Sequence, residues 1–330
     1  MVFRKIRQIQ GYKAIFIVDE LSTWGGGSTP LLNFLRLQGH DQSSYKLFIL
    51  RSRFGFFKVL LSFLFQKNII IVGFDPLKYF TILMLASLKK NLILYPQTVQ
   101  YQLSKFFHSF ARNLFFTFLM ERKKIACVSD FQKKYFIKNF KSKNIENIGA
   151  IIFTEPNLIG RNNNPEKTKV LMIGYFSKLK GVNFYSEVAD LAKEEGLNYE
   201  FYWLGDGPTD ELYLSENVVW LGYSANPKFS LSKIDIMFLS SSEDSIPLVF
   251  YEALELEKKC VVYKNTGVAD IAATIEGCEV YNEYLPHEAL RALDRSLNTK
   301  FNFKQAKNAL EKYTSVESFK SKLNNLIYIK

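Results

Sequence analysis

The stretch IDIMFLSSSEDSIPLVFYEALELEKKCVVY, residues 234–263, decides the fold class. Its apolar opening, Ile234 and Ile236 to Leu239, has the length of a buried parallel strand. A polar loop from Ser240 to Asp244 follows, and Ser245-Ile246-Pro247 leads into a second apolar segment. Pro247 suits the first helical position, where a missing N–H costs nothing, with Ser245 or Ile246 ahead of it. The expected helix runs from Pro247 to about Lys258 and is apolar nearly all round, with Glu252 in its middle. Another buried strand, Cys260 to Tyr263, completes a βαβ unit. The polar loop then lies at the carboxyl end of a strand, where open α/β sheets bind ligands.

Two acids stand out, Asp244 in the loop and Glu252 in the helix, eight positions apart. A carboxylate among apolar residues is expected to have a hydrogen-bond partner. The helix start adds amides and a partial positive charge that suit a diphosphate. Together these features suit a sugar nucleotide. The plain structural alternative is a capped helix, an exposed Asp244 and a lysine bridged to Glu252.

The 330 residues are enough for two α/β domains of about 150 residues each. The expected boundary lies in the polar linker Glu155 to Lys169, giving domains 1–160 and 161–314, with a closing helix at 315–330. Charge is divided between the halves. Residues 1–162 hold 24 Lys/Arg against 8 Asp/Glu, and the remainder 19 against 24. That asymmetry points to an anionic partner for the first half. Its basic residues flank aromatic segments, 51–67 and 102–124, which read either as helices lying on an anionic membrane surface or as core helices with a solvated basic face. No RNA-binding signature is present, so nucleic acid is not expected as a partner. Cys127, Cys260 and Cys278 are widely spaced and read as buried thiols of a reduced compartment. No clustering of the three histidines suggests a metal site, no apolar run reaches the ~18 residues of a membrane span, and no secretory leader is seen. The expectation is a cytoplasmic protein, peripheral on the inner face of the plasma membrane.

Along the chain, strand Ala14–Val18 leads to a glycine loop, Gly25 to Gly27, and a helix from about Thr29. Glycines there let backbone amides approach a ligand, although GxGxxG is not met. Further strands are expected at 46–50, 69–72, 92–94, 125–128 and 147–153, then 170–176, 199–208 and 218–224. Strands alternating with helices in both halves imply α/β domains with parallel, doubly wound sheets and a ligand site in the cleft between them. GYFSKLKG (174–181) places Lys178 and Lys180 after a strand and ahead of a helix, where a lysine reaches a phosphate as a point charge.

The set GYFSKLKG (174–181), YWLGDGP (202–208), WLGY (220–223), SSSEDSIPLVFYEAL (240–254) and NTGVADIA (265–272) resembles the nucleotide-binding half of retaining glycosyltransferases of family four, which have the GT-B fold of two facing Rossmann-like domains. The likeness covers roughly Lys169 to Ala273 and keeps the family's motif order. It implies retaining, metal-independent transfer of a hexosyl unit from a UDP- or GDP-sugar to a lipid-linked or glycan acceptor, in the synthesis of a cell-surface polysaccharide such as capsule or lipopolysaccharide. No cofactor is implied, the nucleotide sugar being a substrate. By position, Glu252 would bind the ribose hydroxyls and Asp244 the donor sugar, with Glu243 the alternative acid one residue out of register. Ser245, Ile246, Pro247 and Leu248 would line the sugar and diphosphate; Lys180 would neutralise the leaving diphosphate. Gly26 and Gly27 would close over the donor, with Trp24 and Gln97 on the acceptor side. The chain departs from the family at Tyr175, where an arginine is usual and Lys178 is the only substitute at hand, and in LYPQTVQ (94–100), which lacks the family's histidine. A degenerate, non-catalytic partner in a glycan-assembly complex and a GT-B sugar-nucleotide epimerase are the alternatives.

Overall fold

The computed structural model describes residues 14–18, 45–49, 59, 63–64, 66–73, 80–89, 91–96, 110–151, 167–208, 212–224 and 226–328. The chain divides into two compact units, Met1–Phe153 with Tyr313–Lys330, and Thr154–Lys312.

The first unit holds a parallel sheet of β1 (Ala14–Val18), β2 (Tyr45–Ile49), β3 (Asn68–Val72), β4 (Asn91–Tyr95), β5 (Lys124–Cys127) and β6 (Ile145–Asn147), in the order β2-β1-β3-β4-β5-β6. AIFIV, NIIIV and NLILY are almost wholly buried, as strands covered on both faces must be. The unit's described helices before residue 154 include α1 (Phe80–Ser87), α2 (Phe110–Arg122) and α3 (Asp130–Phe140). Ser129 caps α3 by accepting from Gln132 N at 3.2 Å, and the buried Gln132 side chain in turn accepts from Val128 N and donates to Pro96 O. One glutamine thereby satisfies backbone groups at the carboxyl ends of both β4 and β5. The expected strand 147–153 is instead 145–147. Gly149 at φ +75° turns the chain, and its amide donates to Asn147 Oδ1. Of the two basic aromatic segments, α2 lies within the second; it buries Phe116, Leu119 and Met120 and leaves Leu114 and Phe118 exposed, with the Arg122 guanidinium 5.0 Å from the Phe118 ring.

The second unit carries β7 (Thr168–Ile173), α4 (Val182–Glu194), β8 (Tyr199–Leu204), β9 (Val218–Trp220), α5 (Pro227–Ser232), β10 (Ile236–Leu239), α6 (Leu248–Glu255), β11 (Lys259–Tyr263), α7 (Ala269–Ala272), β12 (Glu279–Tyr281), α8 (Pro286–Asn298) and α9 (Phe303–Thr314). The sheet is again six-stranded and parallel, in the order β12-β11-β10-β7-β8-β9. Beneath it Tyr185 stacks on Phe238 and meets Phe201 and Trp203 edge-on. Helix α10 (Val316–Tyr328) belongs to the first unit. It buries Phe319, Leu323, Leu326 and Ile327, packs on β5 and β6, and receives Lys124 Nζ at Ile327 O, 2.9 Å away. Among the described residues no helix is long and apolar enough to cross a membrane.

Helix α6 departs from expectation at both ends. Pro247 is its N-cap in an extended conformation, not its first helical residue, and the helix stops at Glu255. The early stop follows from Glu257, which adopts φ +57°, while Lys258 N donates to Ala253 O and Glu257 N to Leu254 O. Glutamate in this left-handed conformation is strained where glycine is not. Glu257→Gly is therefore expected to stabilise the second unit by about 1 kcal/mol. Chemical denaturation measures this, and an unchanged or lower midpoint would contradict it.

Candidate functional site

The strand order of the second unit reverses between β7 and β10, so the chain leaves these neighbouring strands toward opposite sides and opens a crevice at their carboxyl ends. The segments after β7, β10 and β11 meet there. Ser240 Oγ donates to Lys180 O at 2.8 Å and Ser242 N to Leu179 O at 3.0 Å, joining the first two. Asp244 joins the third. It forms a bridge with Thr266, its carbonyl accepts from Gly267 N at 2.7 Å, and its amide reaches Asn265 O.

The Asp244 side chain completes the junction. Oδ2 lies 2.5 Å from Lys180 Nζ, and Oδ1 accepts from Ile246 N at 3.2 Å. The pair is partly buried, with Asp244 14% and Lys180 32% exposed, so its charges attract more strongly than a fully solvated pair would. Lys180 reaches the acid because its stem crosses Gly174, where a Cβ would meet Lys180 Cδ at 3.3 Å. Gly181 follows at φ +72°, and a Cβ there would lie 2.1 Å from Ser240 O. Only glycine lets these loops approach so closely.

Glu243 is half-buried, and loss of water raises its carboxyl pKa. Ser245 is buried with its Oγ unpaired, and Pro247 starts α6 with no side-chain cap. Glu252 is the fifth residue of α6, just over one turn into the helix. The expected hydrogen-bond partner of Glu252 is missing: Oε2 is buried with none among the described residues. The lysine alternative fails as well, because Lys228 Nζ pairs with Glu255 Oε2 at 3.3 Å. Burial raises the Glu252 carboxyl, Lys228 opposes that shift and Glu255 adds to it.

Lys178 is exposed in the turn before α4, and its carbonyl accepts from Gly181 N. Tyr175 is 62% exposed, beside Phe176, whose buried ring meets Trp203 and Trp220. Gly26, Gly27, Trp24 and Gln97 lie outside the described residues. The Lys228–Glu255 pair was not foreseen from sequence. Among the described residues no group of three or more His, Cys, Asp or Glu is placed to hold a metal, and Cys127, Cys260 and Cys278 are buried free thiols.

This arrangement can be set beside known proteins. Residues 155–314 match the family model of glycosyl transferases group 1. No curated protein matches the chain in sequence. Among solved structures, Alr3699/HepE of Anabaena in complex with UDP-glucose is similar at a TM-score of 0.71 and 13% identity, covering 96% of this chain and 100% of that one. WaaG, a glycosyltransferase involved in lipopolysaccharide biosynthesis, gives 0.63 and 12% over 96% and 100%. WaaB, a lipopolysaccharide outer core galactosyltransferase in its apo form, gives 0.66 and 14% over 96% and 99%. The two α/β units, each with a parallel six-stranded sheet, thus have the GT-B fold.

The bare Glu252 carboxylate predicts a pH-dependent stability. A raised folded-state value means that stability is full below the ordinary glutamate pKa of about 4.3 and is lost as pH rises toward the folded value. Glu252→Gln should raise the melting temperature at pH 7.5 by about 2–4 °C, corresponding to roughly 1 kcal/mol. The gap should close on acidification toward pH 4. A gap that persists at low pH would show that charge burial is not its cause.

Proposed function

We propose that the chain is a retaining, metal-independent glycosyltransferase that moves a hexosyl unit from a UDP- or GDP-sugar to a lipid-linked or glycan acceptor in the synthesis of a cell-surface polysaccharide. The observation that carries the reading is the meeting, at one strand-order reversal, of a Lys180–Asp244 pair with a helix bearing the buried, unpartnered Glu252 Oε2. The group 1 match over 155–314 and the three structural relatives support it.

Each residue has a distinct task in this mechanism. Glu252 accepts hydrogen bonds from the ribose hydroxyls, which gives its bare oxygen the donors it lacks. The amides at the start of α6 and the Lys180 ammonium face the diphosphate. As the sugar–oxygen bond breaks, negative charge grows on the diphosphate and Lys180 stabilises it. Lys180 must then exchange its Asp244 carboxylate for a phosphate oxygen, which frees Asp244 to contact the transferring sugar. The Ser245 hydroxyl, unpaired in the free protein, is available to a sugar hydroxyl. The exposed Leu114–Phe118–Arg122 stripe of α2, on the basic half of the chain, supports a peripheral position on an anionic bilayer.

A second reading, a non-catalytic family-like binder, is favoured by the exposed Tyr175 ring, at the position where the family that the chain resembles often has an arginine. The two readings separate on one pair of variants. Asp244→Asn keeps the Oδ1 acceptor for Ile246 N while releasing Lys180, so it should abolish transfer yet bind nucleoside diphosphate at least as tightly as the parent. Lys180→Met should weaken that binding by tenfold or more, about 1.5 kcal/mol for a charge-assisted contact. Calorimetry with UDP, GDP, ADP and CMP, followed by turnover with the matching sugar nucleotides, provides both readouts. Normal turnover of Asp244→Asn would remove the site assignment, and binding without turnover by the parent would favour the binder. For the membrane, co-sedimentation with phosphatidylserine vesicles should be strong at low salt and fall as salt is added. No sedimentation at low salt would remove that part of the reading.

A further inference from the structure

Helix α6 carries a second acid, Glu255, one turn beyond Glu252, and neither carboxylate is fully satisfied. Glu252 Oε2 and Glu255 Oε1 are both buried without a hydrogen-bond partner. Across from them Lys228, the second residue of α5, reaches Glu255 Oε2 at 3.3 Å, and the two side chains are 21% and 13% exposed. The lysine acts electrostatically on both acids but is hydrogen-bonded to only one. Its attachment to Glu255 leaves Glu252 with a charge of opposite sign close by and an oxygen that no protein donor occupies.

We propose that Lys228 is a positioning residue for the nucleotide site, held by Glu255 so that it keeps Glu252 an ionised but unoccupied acceptor for the two hydroxyls of a ribose. This rests on the reading of Glu252 as the ribose-binding residue. A diol presents two O–H donors, and an ionised carboxylate can accept from both, whereas a protonated one has a single unprotonated oxygen. Two buried acids one turn apart repel each other's ionisation, so with no cation Glu252 would take up a proton. With a lysine bound directly to Glu252, the oxygen would be ionised but filled. Routing the lysine to Glu255 avoids both outcomes.

Among the described residues the charges acting on Glu252 are Lys228 from α5 and Glu255 from its own helix. Strand β10 presents Ile236 to Leu239 and no charge, and on β11 the one charged residue, Lys259, is engaged by the carbonyls of Ser296 and Leu297.

The test is a titration of the Glu252 carboxyl in the full-length protein by carbon-13 NMR, with Glu252→Gln identifying the signal. Lys228→Met should move the midpoint up, and Glu255→Gln should move it down, each by about half to one pH unit, a three- to tenfold change in proton affinity. The double variant should return toward the parent, and Lys228→Arg should leave it near the parent. A purely structural tie between α5 and α6 would change melting temperature in all of these without opposite shifts at Glu252. Binding of UDP-glucose and GDP-mannose, neither of which titrates at phosphate between pH 5 and 8, provides the second arm. Lys228→Met should lose affinity three- to tenfold at pH 5.5 and recover it at pH 8. Midpoints unmoved by both single variants, or moved in the same direction, would overturn the inference. Shifted midpoints with no nucleotide sugar bound by the parent at any pH would instead remove the nucleotide-site reading, and the positioning role with it.

Discussion

The Lys180–Asp244 ion pair is the contact on which the geometry of the second unit's crevice depends. Parallel strands supply the crevice, since β7 and β10 are neighbours whose chains depart to opposite sides. Strands alone do not align the segments that follow them. Ser240 and Ser242 bind the segment after β7, the Asp244 backbone binds Thr266 and Gly267 of the segment after β11, and its side chain stands at the crossing with the lysine on one oxygen and the Ile246 amide on the other. The pair is a ground-state arrangement. A ligand anion that takes the lysine must compete with a carboxylate already 2.5 Å away, so affinity is surrendered in the free protein to hold the loops in register.

Glu252 represents the opposite solution. Asp244 has a cation bonded directly to it, and Glu252 does not. A buried carboxylate oxygen without a donor is costly and is usually eliminated from a stable domain. In the proposed function its donors are ligand hydroxyls, reached from the same chain segment that carries Asp244. Two acids eight residues apart thus differ: one is satisfied and organises the loops, the other keeps a buried oxygen without a donor.

Much of the fold was legible because strands buried on both faces need no alternation, and AIFIV, NIIIV, NLILY and IMFL read directly as such runs. Strand ends were less legible. Gly149, Gly205 and Gly222 all take positive φ and cut short segments whose composition alone would extend them. Gly205 approaches Gly174 O so closely that a Cβ would lie 2.1 Å from it, a contact set by the neighbouring loop and invisible in sequence. β12 was missed because three residues, one of them charged, form no periodic signal. The positions of Asp244, Lys180 and Glu252 came from motif spacing. Lys228 and Glu255 did not, because they are 27 residues apart on different helices and neither belongs to the pattern.

The costs borne by α6 argue for function at this helix more than any single contact does. Glu252 keeps a buried Oε2 without a hydrogen-bond partner. Glu255 occupies the last helical position, where the negative end of the helix dipole disfavours an acid, and it too keeps a buried oxygen without a donor. Glu257 then holds a left-handed conformation that a glycine would take freely. Elsewhere in the unit buried and half-buried polar groups are met: Tyr185 finds carbonyls within hydrogen-bond distance, and Asp190 receives Ser215, Asn217 and Tyr213. A domain able to satisfy its polar groups elsewhere has concentrated three unfavourable choices on eight helical residues and their exit. Departures from local stability that cluster in this way are characteristic of a segment whose shape and charge answer to a ligand.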